Sequence, residues 1–351
     1  MRNHKLDLLR FIGLVLIMLA HVEPPRTILN LRSFDVPLMI VLSGITFGLS
    51  YKEEPYLKYL IKRIKRLVFP VWIFLTLYFP LLYLIDPAAD SLSQEAIFKS
   101  YFLMGGIGYV WIIRVFLMVA LVAPLLYLFH RRIESNSAFL IYLLAIYVGY
   151  EWSRYLFTLY LANATPDIPH FFQNLVNLIG FLLVPYSFYL VPYSLLFAFG
   201  LRLPHISTRG KYRLLWLLSA CLIGFAVVRF AQSGRIFPSQ MFKMIPSNYY
   251  LTYGIAATTF LVIKGDVIWQ ILTKNTLIEK TILFVAKNSL WIYLLHIPIV
   301  KVIDTNFALE YAIAFFLSVC LMALQAYLVN QICLQISHRG LKKNLKILLT
   351  G

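Results

Sequence analysis

The sequence predicts an all-α membrane protein, a bundle of about ten transmembrane helices with the N- and C-termini both cytoplasmic. Three observations lead there. The 351 residues are 60 % hydrophobic and only 13 % charged, where a soluble domain is nearer a quarter charged. The apolar residues cluster into runs of about twenty, the length that crosses ~30 Å of hydrocarbon, without the alternation of a β-barrel. Lysine and arginine are distributed unequally between alternate loops.

Runs bounded by charge, Pro or Gly give candidate spans at 7–22, 34–50, 67–85, 109–129, 138–158, 176–200, 212–230, 247–263, 282–302 and 309–336. The first could pass for a signal peptide. No A-x-A cleavage pattern follows it, and His21-Val-Glu-Pro-Pro is a poor substitute, so it reads as a retained helix. The second begins at Asp35, and the third follows the basic stretch KRIKR, 62–66. The fourth follows 86–108, an outer amphipathic helix and a Gly-rich turn. The fifth to eighth carry Arg154 and Arg229 and end in an aromatic patch, Tyr249, Tyr250 and Tyr253. The ninth holds His296 and Pro298.

With the N-terminus in the cytoplasm, Lys and Arg divide 21 inside to 6 outside, and five lie within spans; Arg213 and Lys301, at span ends, are counted with their adjoining loops. That bias follows the positive-inside rule. It accounts for the net charge of +17 without nucleic acid as a partner. Cys221, Cys320 and Cys333 lie in apolar runs and read as small core residues. No internal repeat or soluble appendage is evident, so residues 1–351 read as one membrane domain whose neighbours are lipid.

Ionisable groups in a bilayer are costly and usually face an interior cavity. Arg10 and His21 are eleven residues apart, roughly three helical turns plus 20°, so on a continuous helix they share a face about 16 Å apart. An arginine suits a phosphate, and a histidine suits proton abstraction near neutral pH. Equally, Arg10 could snorkel to lipid phosphate and His21 merely end the span. Arg63 and Arg66, at i and i+3, neighbour each other on a helix. They are either a positive-inside anchor or a fork for nucleotide phosphates. His296 is placed for chemistry or for a helix-to-helix hydrogen bond, and Pro298 is placed to kink its helix. Arg114 or Arg32 could pair with Asp35 or Glu23. Ser43, Trp111 and Tyr293 are candidates for oxyanion donors, and tyrosines at the outer mouth, Tyr250 among them, for a sugar. No nucleophile elbow, P-loop, dinucleotide glycine pattern or acidic metal cluster occurs, and no metal is expected.

Taken in order, these segments resemble the membrane-bound acyltransferase 3 family. LDLLRFIGLVLIMLAH (6–21) resembles its opening Arg-x10-His signature. FDVPLMIVLSGITFG (34–48) resembles the following Ser-Gly element, here Ser43-Gly44. RIKRLVFP (63–70) resembles its R-x-x-R pattern, and YVWIIR (109–114) the start of its fourth span. KMIPSNYYLTYG (243–254) and NSLWIYLLHIPIV (288–300) resemble its two late elements. Ile245 and Val110 stand where the family usually has proline and histidine. The resemblance implies an O-acyltransferase of the bacterial inner membrane, most simply an acetyltransferase. Acetyl-CoA would come from the cytoplasm, and the acceptor would be a cell-surface glycan or its lipid-linked precursor. By the same resemblance Arg10, Arg63 and Arg66 bind the donor and His21 is catalytic. A transporter or flippase of lipid-linked sugars is the competing expectation.

Overall fold

In the computed structural model, residues 3–163, 188–243 and 246–350 are described, and every regular element among them is helical. They are α1 (His4–Leu19), α2 (Arg26–Leu31), α3 (Asp35–Ser50), α4 (Tyr56–Ile85), α5 (Gln94–Tyr101), α6 (Trp111–Arg132), α7 (Asn136–Asn163), α8 (188–202), α9 (Thr208–Ser233), α10 (Asn248–Leu272), α11 (Thr276–Lys287), α12 (Ser289–Val302), α13 (Phe307–Gln335) and α14 (Arg339–Thr350). Side-chain caps start several of them. Asn3 accepts from the Leu6 amide, Ser207 from Gly210, Asn275 from Leu277 and Asn306 from Leu309, which satisfies donors that a first turn leaves open.

Among the described residues six helices are long and apolar enough to cross a membrane, with α2 and α3 counted together, and seven if the bent pair α11–α12 is one span. Four of the ten expected spans are outside that set, among them the fifth, 138–158, which lies in α7, a helix of 28 residues that is long enough but not apolar enough to be counted. The first, 7–22, is a helix of 16 residues, about 24 Å long. Part of the expected span 176–200 lies outside the described residues. The ninth, 282–302, is two helices at 90°. The break is not at Pro298, which sits inside α12. It is at Asn288, whose backbone and side-chain N–H groups both donate to the Phe284 carbonyl at the end of α11. A carbonyl doubly occupied in this way closes α11, and the chain restarts as α12.

The chain forms two compact units. The first comprises residues 1–39, 52–121 and 261–351. In it α12 packs on α13, α1 on α11 and α12, and α14 on α13 and α4. Its core is Leu8, Leu9, Leu14, Leu38, Leu75, Ile292, Leu294 and Ile297. The second comprises 40–51 and 122–260. There α3 and α8 approach closely. A Cβ at Gly44 would collide with the Phe197 carbonyl, and one at Gly200 with the Val41 carbonyl. The Ser43-Gly44 pair thus permits backbone-to-backbone packing, the use that membrane helices make of small residues. In α9 no residue is buried, and Trp216, Leu217 and Ile223 are all more than 60 % exposed. Such a helix is stable in hydrocarbon and not in water.

Candidate active site

The first unit gathers a histidine pair. Leu8, Leu9, Leu14, Ile17 and Met18 bury one face of α1. The helix closes at Leu19 with tight bonds from the Ala20 amide to Ile17 and from the His21 amide to Met18. Glu23 follows with φ +47° and then two prolines, so the chain cannot continue as helix. His21 therefore sits on the terminating turn, two residues beyond the helix. Its Nδ1 lies 2.7 Å from Nε2 of His296, the rings nearly parallel at 12°. His296 is fully buried, and its own Nδ1 bonds the Tyr293 carbonyl one turn back.

That geometry fixes one proton and, for a neutral His296, the other. A carbonyl only accepts, so Nδ1 of His296 is the N–H. With His296 neutral, its Nε2 is an acceptor and the donor is Nδ1–H of His21. The basic lone pair of His21 is then on Nε2. Tyr109 closes the cluster. Its ring meets His21 edge-on at 4.7 Å, and its carbonyl accepts from the Tyr293 hydroxyl at 2.6 Å. The carboxylates of Glu310 and Glu23 act electrostatically on the Tyr109 phenol. Tyr311, next to Glu310, donates to the Val15 carbonyl and so ties the start of α13 to α1.

Two of the three expected donor-side arginines, Arg10 and Arg63, have separate partners. Arg10 reaches Asp7 one turn earlier at 3.4 Å, and Asp7 is buried. Lys5 pairs with Asp266 at 2.7 Å, and His4 stacks on Trp269, which anchors the start of α1 to the last turns of α10. The Arg63 guanidinium lies over the Tyr59 ring at 5.0 Å, and the Tyr59 hydroxyl donates to the Ala120 carbonyl. Arg66, one turn on, is exposed. Asp35 is buried against Arg32, three residues away, and its other oxygen accepts from the Val36 amide. Of the pairings left open by the sequence, Arg32 with Asp35 is made, at the entry to α3. Trp111 is the first residue of α6 and Arg114 is one turn in, both half-buried. Ser43 and Tyr250 belong to the second unit; Ser43 is half-buried and Tyr250 fully buried.

The profile of a protein family, an acyltransferase domain, matches residues 3–330. The chain belongs to the membrane-bound acyltransferase 3 family. It is a multi-pass membrane protein and an acyltransferase. No curated protein and no solved structure matches it. Within this acyltransferase the structure joins His21, Tyr293 and His296. Sequence reasoning passed over Asp7, Tyr109 and Glu310. Asp7 carried a signal, an acid at i−3 to Arg10. Tyr109 directly follows a turn in which Gly105, Gly106 and Gly108 all have positive φ, a backbone that glycine alone adopts without cost.

Proposed function

We propose that this acyltransferase moves an acyl group, most simply acetyl, from cytoplasmic acetyl-CoA to a hydroxyl of a cell-surface glycan or its lipid-linked precursor. On this reading it lies in a bacterial inner membrane as one catalytic domain with about ten spans and both termini in the cytoplasm. The observation that carries the chemistry is the His21–His296 bond. It leaves His21 Nε2 as a base and locks the ring through a buried partner. The acceptor hydroxyl gives its proton to His21 Nε2 as its oxygen attacks the thioester carbonyl. The tetrahedral adduct collapses, the C–S bond breaks, and the leaving thiolate recovers that proton from His21. An ester and free CoA result. Arg10, Arg63 and Arg66 hold the donor phosphates. Asp7 and Tyr59 orient the first two. Tyr109 and Tyr293 form the wall beside the reacting carbonyl, and Trp111 and Arg114 stand at the start of the neighbouring helix. His296 and Asp7 are positioning residues in this account, and Asp35 holds the entry to α3.

A second reading, translocation of a lipid-linked sugar, has one observation in its favour. The 90° break between α11 and α12 is the kind of discontinuous helix that transporters place at a substrate site. Membrane vesicles separate the two. Radiolabelled acetyl-CoA supplied to inside-out vesicles is expected to label glycan, and the same donor given to sealed right-side-out vesicles is not. Sugar movement without labelled ester in either orientation would favour the transporter.

A further inference from the structure

The C-terminal helix α14 carries a feature the chemistry above does not use. Arg339, Lys342, Lys343 and Lys346 fall at i, i+3, i+4 and i+7, so their side chains share one stripe, about 10 Å long. Residues 336–351 contain no acid. None of the four cations has an ion-pair partner among the described residues, and all but Lys342 are exposed. Elsewhere in this unit the paired cations include Lys5, Arg10, Arg32 and Lys62.

On the opposite stripe Leu341 is exposed and Leu345, Leu348 and Leu349 are half-buried, and the backbone of the helix is tied to protein. The Cys333 thiol approaches the Lys342 carbonyl at 3.8 Å, and Gln325 donates to the Leu349 carbonyl at 2.6 Å. Numbers fall along α13 as they rise along α14, so the helix folds back antiparallel. Trp291 of α12 donates to the Leu348 carbonyl at 2.9 Å. Two side chains therefore cap the last-turn carbonyls, which a helix end otherwise leaves open. The same helix packs on α4, whose first turns carry Lys62, Arg63, Lys65 and Arg66. An interfacial helix buries its apolar face in lipid. Here the bonds from α13 and α12 and the packing on α4 hold the helix to protein, and its basic stripe is left for a ligand.

We propose that α14 is a phosphate-binding wall of the donor mouth, with Arg339, Lys342, Lys343 and Lys346 receiving the phosphates at the nucleotide end of the acyl-CoA. This rests on the reading that the donor is an acyl-CoA. Such a ligand carries three phosphate groups, and an uncompensated stripe on a helix seated against α4 adds cationic surface to that of Arg10, Arg63 and Arg66.

The test measures binding of acetyl-CoA and of acetyl-pantetheine, which lacks the nucleotide, to the full chain in nanodiscs of neutral lipid and of lipid with added phosphatidylglycerol. The wild type is expected to prefer acetyl-CoA. K342Q/K343Q/K346Q is expected to lose at least tenfold of that preference in neutral nanodiscs, and K342R/K343R/K346R to keep it. An unchanged preference in the glutamine variant overturns the proposal. So does a change confined to nanodiscs with phosphatidylglycerol, which would assign the stripe to lipid headgroups. A wild type that binds both equally well also overturns the proposal, whereas a folded wild type that binds neither donor refutes the acyl-CoA reading itself.

Discussion

The His21–His296 contact is the smallest unit of the account. Replacing His21 with alanine removes the base, and turnover is expected to fall by about 10²–10⁴ while acetyl-CoA binding persists. His296→Gln offers a side-chain carbonyl to the Nδ1–H of His21 and is expected to retain far more activity than His296→Phe, which offers none. The bell or shoulder of the pH–rate profile should move in His296→Phe, a readout that a merely structural histidine would leave in place. Asp7→Asn tests the donor end; the KM for acetyl-CoA is expected to rise several-fold with turnover at saturation unchanged. Arg10, His21 and His296 stand out in the sequence as candidates because each interrupts or borders an apolar run, where an ionisable group needs a reason; Tyr293 is named there only as one candidate oxyanion donor. Their pairing was not legible. His21 and His296 are 275 residues apart, and periodicity reports only neighbours within a turn or two. Glu310 and Tyr109 were missed for the same reason.

Helices carry the next level. Ser43-Gly44 was read as a motif, and the structure gives Gly44 a packing duty. Gly44→Ala and Gly200→Ala each place a methyl group on a facing carbonyl. Each is expected to destabilise the second unit by about 1–3 kcal/mol or more, measured as a lowered midpoint of thermal unfolding in nanodiscs. Gly149→Ala, where the added methyl meets nothing within 4 Å, is the control and should be neutral to slightly stabilising, by up to about 1 kcal/mol. The break in the ninth span shows a limit of local rules. Proline is the usual cause of a kink, yet Pro298 is accommodated inside α12, and the turn comes at an asparagine that competes for a helix carbonyl. Asparagine has that ability everywhere; which asparagine uses it depends on the surrounding packing.

For the whole molecule, composition alone identified a helical membrane protein, since 60 % hydrophobic content in long runs has no other stable use. The number of spans did not follow as directly. α1 is short, and the ninth run folds as two pieces, so the length of an apolar run overstates what one straight helix does with it. The two-unit organisation was not visible either. The second unit takes residues 40–51 and 122–260 from the middle of the chain, and nothing in local composition marks those boundaries. The charge distribution is a property of the same scale. α14 reads in the sequence as one more positive-inside segment, and only its folding back onto α13 and α4 shows that the helix bearing these cations is held by protein.

The central claim is that His21 takes the proton from a glycan hydroxyl while acetyl-CoA donates the acyl group. The measurement that bears on it most directly follows CoA release by purified chain in nanodiscs, wild type beside His21→Ala, with and without a surface-glycan extract, and with acetyl-CoA binding measured on the same samples. The account requires release that depends on glycan and vanishes in the variant while binding stays. Glycan-dependent release by His21→Ala at the wild-type rate would contradict it.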